Sequence, residues 1–396
     1  MTVTSSPRQL KLALFGLGRL GAIRARILAS QQPLIDFIAA CDTKPGAAEW
    51  AVANLPPSVR FYDDPEDCMR HSGAEAILIS TATATHAPLI CLGLDLGLHV
   101  MCEKPIAVDV LTTQEVVQKA KSNPQLKFLV PFTRRYDDSY RAAKLLAEKG
   151  SLGEVHAVET HCIDKQDPTG NNLFLVISGG IFVDMGIHDI DVGRYFLDVK
   201  SGLTNPKRQV NRVVAMGQQV VYGDLAEYGD ADNGWGLVEF ANGKIMTTHL
   251  GRTTTNGYEA GTRVHGTKGH ALIGANSTIN RVEIRDQYGV RNASAPDAFS
   301  LYDKTFINDL DEFARAVLYD APMSCTPEDA FEAAKIVIAL QHSFRTGQPV
   351  YFSEDGLPLL ETTKANGETN GTANGLVTYT ANESANGGHS TGLKAI

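Results

Sequence analysis

The sequence predicts an α/β fold, with a doubly wound parallel sheet first and then an α+β half built on a large, mostly antiparallel open sheet. Three observations predict it. From Leu10 to about Phe128, short apolar runs alternate with longer helical patterns. Beyond Pro131 the strand-like runs lengthen and alternate in polarity, and after about Glu361 large apolar residues become scarce. The expected division is 1–130, 131–361 and a tail at 362–396.

The elements follow in order. Lys11–Phe15, Asp36–Cys41, Ala76–Ser80, His99–Cys102 and Lys127–Val130 read as strands. Leu20–Ser30, Ala47–Asn54, Ala87–Leu96 and Leu111–Lys121 read as the helices between them. Near-continuous apolar strands separated by helices imply a parallel sheet covered on both faces. A helix at Ser139–Glu148 then leads to a strand at Glu154–His161, a loop and a glycine-led helix. Arg212–Val221, Trp235–Phe240, Ile245–Leu250, Thr262–Gly266 and Ala271–Ile273 are strands of the second sheet. Amphipathic helices at Phe306–Leu318 and Pro327–Arg345 close the fold. The tail buries too little apolar surface to offset chain entropy, so it is expected to be disordered.

Composition narrows the function. A net charge of −9 gives no support for a nucleic-acid or anionic-membrane surface. The six cysteines are scattered with no C-x-x-C pair, which suits free thiols in a reducing compartment. The first ten residues lack the apolar core of a secretory signal. No apolar run approaches the roughly 18–20 residues of a membrane span. A cytoplasmic location is expected.

Gly16-Leu17-Gly18-Arg19-Leu20-Gly21 follows the first strand and opens the first helix. Its first glycine permits a tight turn, its second lets backbone approach a pyrophosphate, and its third allows close helix–strand packing. The helix N-terminus adds amide donors and positive dipole. In this strand–turn–helix context the motif predicts a dinucleotide site of the Rossmann type. Asp42 ends the second strand, 26 residues after Gly16. A carboxylate there accepts from the adenosine ribose diol and repels a 2′-phosphate, which favours NAD over NADP.

Cys102-Glu103-Lys104-Pro105 follows a strand of the same sheet, where ligands of doubly wound folds gather. Lys104 can hydrogen-bond a reacting hydroxyl. In Gly179–Asp191, helical spacing puts Asp184, His188 and Asp191 on one face among apolar neighbours. Buried acids and imidazoles are costly unless paired or used. Asp184 is therefore expected to orient His188, which takes an alcohol proton as hydride leaves carbon. His161, Cys162 and Asp164 lack any conventional metal-ligand spacing, and no metal is expected.

These segments, with Ile79–His86, Phe132-Thr-Arg-Arg-Tyr-Asp137 and Val264–Gly269, resemble the glucose-fructose oxidoreductase/inositol dehydrogenase/rhizopine catabolism (Gfo/Idh/MocA) family over roughly residues 10–352. The pattern is most similar to its myo-inositol 2-dehydrogenase branch. The resemblance implies Lys104, Asp184 and His188 as the catalytic set. It implies Arg134, Asp191 and Tyr258 as further contacts to substrate hydroxyls, and Thr81, His86, Glu103 and Lys104 beside the cofactor. It also implies a polyol or sugar substrate, and homodimers or homotetramers packed through the open face of the second sheet. Two segments depart from the family: Thr81-Ala82 replaces Thr-Pro, and Asn256-Gly257-Tyr258-Glu259 replaces aromatic-Gly-Tyr-Asp.

The leading expectation is an NAD-dependent dehydrogenase of a secondary alcohol on an inositol-like ring. The alternatives are a dinucleotide-binding regulator without catalysis, glycoside cleavage through transient oxidation, and a biosynthetic reductase with a non-sugar substrate. An intact Lys104, Asp184 and His188 set distinguishes the enzyme readings from the regulator. Substrate choice is expected to lie in loops 161–178 and 251–262.

Overall fold

The computed structural model describes residues 8–30, 32–165, 178–199, 208–275, 278–287 and 289–360. The expected tail and most of the 161–178 loop lie outside them.

The first half contains β1 (Leu10–Phe15), α1 (Arg19–Ala29), β2 (Ile35–Cys41), α2 (Ala47–Asn54), β3 (Arg60–Tyr62) and α3 (Pro65–His71). It continues with β4 (Ala76–Ile79), α4 (His86–Asp95), β5 (His99–Cys102), α5 (Val110–Lys121) and β6 (Phe128–Leu129). The six strands are all parallel, in the order β3-β2-β1-β4-β5-β6. Leu12, Ala13 and Leu14 of β1 and all of Ala76–Ile79 are fully buried, because helices cover both faces. Helix starts follow local chemistry. Asp64 caps α3 by accepting from the Asp67 amide, with Pro65 at the first helical position. Asp109 caps α5 in the same way through the Thr112 amide. The sequence pattern missed β3 and α3, which are short and lack the buried periodicity that reveals the other elements.

The second half opens with α6 (Asp138–Glu148), β7 (Val155–Ile163), α7 (Ile181–Asp184) and α8 (Gly186–Leu197). Strands β8 (Val210–Gln218), β9 (Asn233–Phe240), β10 (Ile245–Gly251), β11 (Glu259–Gly266) and β12 (Gly269–Ile273) follow. Then come the hairpin β13 (Thr278–Asp286) and β14 (Gly289–Ser294), helices α9 (Ala298–Leu301), α10 (Thr305–Tyr319) and α11 (Pro327–Thr346), and β15 (Val350–Tyr351). Helix α11 begins with a capping box between Thr326 and Asp329 and ends at left-handed Gly347.

The seven-stranded sheet runs β12-β11-β7-β10-β9-β8-β15. Most neighbours are antiparallel, as the alternation implies, but β7 and β10 are parallel at its centre. Their ends, Ile163 and Gly251, therefore stand side by side, and the chain leaves both strands toward one edge. One face packs on α8 and α11. The opposite face exposes Met216, Trp235, Leu237 and Ile245. No helix among the described residues is long and apolar enough to cross a membrane.

Candidate active site

The glycines of the first turn have three different physical reasons. Gly16 has φ of +91°, and a Cβ there would lie 2.5 Å from the Ser80 carbonyl oxygen at the end of β4. A Cβ on Gly21 would lie 1.9 Å from the Gly16 carbonyl oxygen. Gly18 faces open space, with nothing within 4 Å of a Cβ. It also stands at the N-cap of α1 with no side-chain cap. Two glycines thus shape the turn and the third leaves room above uncapped amides, which fits a pyrophosphate. We expect Gly18→Ala to weaken dinucleotide binding, measured by calorimetry, with little change in melting temperature. Gly21→Ala is expected to lower both.

Asp42 stands beside this turn. Its Oδ2 accepts from the Leu17 amide at 2.7 Å and its Oδ1 from the Lys44 amide at 2.9 Å. Each carboxylate oxygen keeps a second lone pair for a ribose hydroxyl. Arg19 is exposed, with its guanidinium 5.5 Å from the Phe299 ring centre, and Leu20 is partly buried in the first turn of α1.

Two residues expected beside the cofactor have structural partners. His86 is buried, with Nδ1 2.8 Å from the Pro105 carbonyl oxygen and Nε2 3.2 Å from that of Thr81. Burial holds its pKa below the ordinary histidine value. The ring braces the Thr81 loop against the Lys104 turn. Glu103 Oε1 accepts from Nε and Nη2 of Arg24 at 2.9 and 2.8 Å. Arg24 also donates to both oxygens of Asp309 at 2.7 and 2.8 Å and to the Phe306 carbonyl. All five guanidinium donors are used, and the triad ties α1, the Lys104 turn and α10 together. Sequence reasoning missed Arg24. Its signal was an arginine on the apolar stripe Gly21, Ala25 and Leu28 of α1.

Beyond β5, Lys104 reaches across to α7. Its Nζ donates to the Asp184 carbonyl at 3.2 Å and lies 3.9 Å from Asp184 Oδ1. The other carboxylate oxygen, Oδ2, is 3.5 Å from Nη2 of Arg252, a buried residue that sequence reasoning did not select. His188 sits on α8 with its ring edge-on to Phe132 at 6.1 Å. Its Nδ1 is buried and makes no hydrogen bond to the described residues. Burial first, and then the charges of Lys104 and Arg134, hold its pKa well below the ordinary histidine range. It is therefore a neutral imidazole near neutral pH.

The geometry revises three expectations. The Asp184 carboxylate does not bond His188; it faces two cations, which attract it more strongly than a neutral ring does. Arg134 is buried in a bidentate pair with Asp189 at 2.9 and 3.0 Å. Asp191 is fully buried against Arg135 at 2.6 and 2.8 Å. Arg134 and Asp191 are thus engaged in buried ion pairs, which offset their desolvation. Tyr258 is buried, with its hydroxyl 3.1 Å from Cys162 Sγ. Burial pushes this phenol well above its ordinary pKa. His161 and Cys162 point to opposite faces of β7, with His161 3.3 Å from Glu259 and Cys162 against Tyr258. Among the described residues no cluster of three or more His, Cys, Asp or Glu side chains is arranged to hold a metal.

Comparison with known proteins places this architecture. Residues 10–130 match the NAD-binding Rossmann fold of an oxidoreductase family, Gfo/Idh/MocA, and residues 144–352 match that family's C-terminal alpha/beta domain. The chain is similar to scyllo-inositol 2-dehydrogenase (NAD(+)) of Bacillus subtilis, 28% identical over 86% of this chain and 96% of that protein. It is 26% identical to myo-inositol 2-dehydrogenase of Thermotoga maritima, over 87% of this chain and 99% of that protein. Scyllo-inositol dehydrogenase from Lactobacillus casei, solved with NAD(H) and scyllo-inositol, superposes with a TM-score of 0.80 at 29% identity. That match covers 87% of this chain and 99% of the other. With both halves matched and a glycine turn shaped for a dinucleotide, the chain belongs to the Gfo/Idh/MocA family of oxidoreductases.

Proposed function

We propose that the protein oxidises a secondary hydroxyl of a cyclic polyol or sugar of the inositol type, with NAD preferred over NADP. The observation that carries this reading is the approach of Lys104 to Asp184 across the two halves, beside a histidine held neutral. The inositol dehydrogenases among the relatives support the substrate class.

Gly16, Leu17, Gly18, Arg19 and Leu20 would hold the pyrophosphate, and Asp42 the adenosine ribose. When bound, the nicotinamide supplies the hydride acceptor for the carbinol carbon. Lys104 donates a hydrogen bond to the reacting oxygen and stabilises the negative charge that develops there. Asp184 keeps the lysine ammonium in place. The His188 imidazole takes the hydroxyl proton, so the carbinol loses hydride and proton and becomes a ketone. A neutral ring is required at this step, since an imidazolium has no lone pair to accept with. We also read the exposed face bearing Met216, Trp235, Leu237 and Ile245 as the surface through which copies associate.

The test is a spectrophotometric screen of NAD and NADP against inositols, aldoses and lactones, following the reduced cofactor. NADH formation with an inositol or related ring is expected. Failure of every ring polyol with bound NAD would overturn the substrate class. A strong NADP preference would overturn the role given to Asp42.

A further inference from the structure

We propose that Arg252 is a positioning residue that holds the Asp184 carboxylate toward Lys104 and away from His188, so that His188 meets the substrate as a neutral base. This inference rests on the reading that His188 takes the hydroxyl proton.

Arg252 immediately follows β10, and its backbone amide donates to the Asp232 carbonyl at 2.8 Å. Its side chain is buried to 1% exposure, and Nη2 lies 3.5 Å from Asp184 Oδ2. Lys104 Nζ lies 3.9 Å from Oδ1. One carboxylate is thereby held between two cations brought from different parts of the chain. A guanidinium sealed from water is costly unless acids or acceptors accompany it, and the Asp184 carboxylate is one group that offsets this cost.

The arrangement has a consequence for the base. An acid four residues before a histidine on a helix stands within reach of it, and a carboxylate beside an imidazole favours the protonated ring. Here the helix is interrupted at Met185 between α7 and α8, and the carboxylate is turned to the cations. The groups facing His188 are then Lys104 from the turn after β5, Arg134 from the 3-10 segment Thr133–Tyr136 and the Phe132 ring. Asp189, the acid next to His188, is committed to Arg134. Without the Arg252 guanidinium, Oδ2 of Asp184 is released, and the imidazolium becomes a competing partner.

The experiment is a proton NMR titration of the full-length protein carrying 13C-labelled histidine. The His188 signal is assigned by its loss in His188→Asn. Arg252→Met is expected to raise the His188 midpoint by about one pH unit, roughly tenfold in proton affinity. Arg252→Lys should lie between the two. In an Asp184→Asn background the shift caused by the Arg252 change should fall by at least half. Arg252→Gln repeats the measurement if methionine at this position prevents folding. An unmoved midpoint, in a variant with wild-type circular dichroism, would overturn the proposal. So would a failure of both variants to fold, which would assign Arg252 to the fold alone. The titration reads the imidazole whether or not any polyol is turned over, so its failure is distinct from failure of the substrate screen.

Discussion

Replacing His188 with alanine is expected to lower kcat by about 10²- to 10⁴-fold, the usual contribution of a positioned general base. Affinity for NADH, measured by titration of its fluorescence, should remain close to wild type, because His188 lies in the second half and not in the glycine turn. Lys104→Ala is expected to lose turnover on a comparable scale. The mechanism fails if both variants retain full activity on a substrate that the parent oxidises. The pH dependence adds a direction. Because burial and two cations depress the His188 pKa, the acid limb of kcat/KM should lie below the ordinary histidine value near 6.5. Removing the Lys104 charge should move that limb upward. Stability should follow the same group. As pH falls below about 6.5, the unfolded chain takes up a proton that the folded histidine refuses, and stability declines. Urea denaturation of His188→Gln should show a shallower loss between pH 7 and pH 5.

The largest expected effect on stability is at Arg24. Arg24→Met leaves Glu103 and the fully buried Asp309 without their shared cation. Breaking a buried pair in this way costs about 3–5 kcal/mol. That is a large share of the 5–15 kcal/mol typical of a folded protein, so the variant should be marginal. The comparison that isolates the cause is the double variant Arg24→Met with Asp309→Leu. It should recover the part of the loss in urea midpoint that comes from Asp309, while the part from Glu103, still without its cation, remains. Burial already holds the Asp309 carboxyl above its ordinary range against the pull of Arg24. The Arg24→Met penalty should therefore be smaller at pH 5 than at pH 7.5, where the orphaned acid must stay charged or take up a proton at greater cost. An equal penalty at both values would contradict this account.

Much of the architecture could be read from the sequence because burial imprints it. Ala76-Ile-Leu-Ile79 is apolar throughout because both of its faces are covered, and Ala47–Asn54 and His99–Cys102 have the expected bounds. The hairpin β13–β14 escaped notice for the opposite reason. Ile279, Val282 and Ile284 are exposed, so no core imposes a period on them. The parallel pairing of β7 with β10 also left no local trace, since it joins segments more than 80 residues apart.

The site divides along a similar line. The approach of Lys104 to Asp184 was legible because each stands at or just beyond the end of an element. Their partners were not. Helical spacing places Asp184, His188 and Asp191 on one face, yet it does not say which acid meets which cation. Arg134 takes Asp189, Arg135 takes Asp191 and Arg252 shares Asp184 with Lys104. Such choices depend on desolvation and on competition between charges from distant segments, which a one-dimensional pattern does not contain.

The central position of β7 has a consequence for how the protein is made. Its two neighbours are β10 and β11, both synthesised long after it. A ribosome that has reached residue 240 has released a strand with neither hydrogen-bonding partner, carrying Val158, Cys162 and other side chains meant for a dry interior. Until residue 266 emerges the segment lacks one or both of the strands that satisfy its backbone, so this part of the sheet completes late.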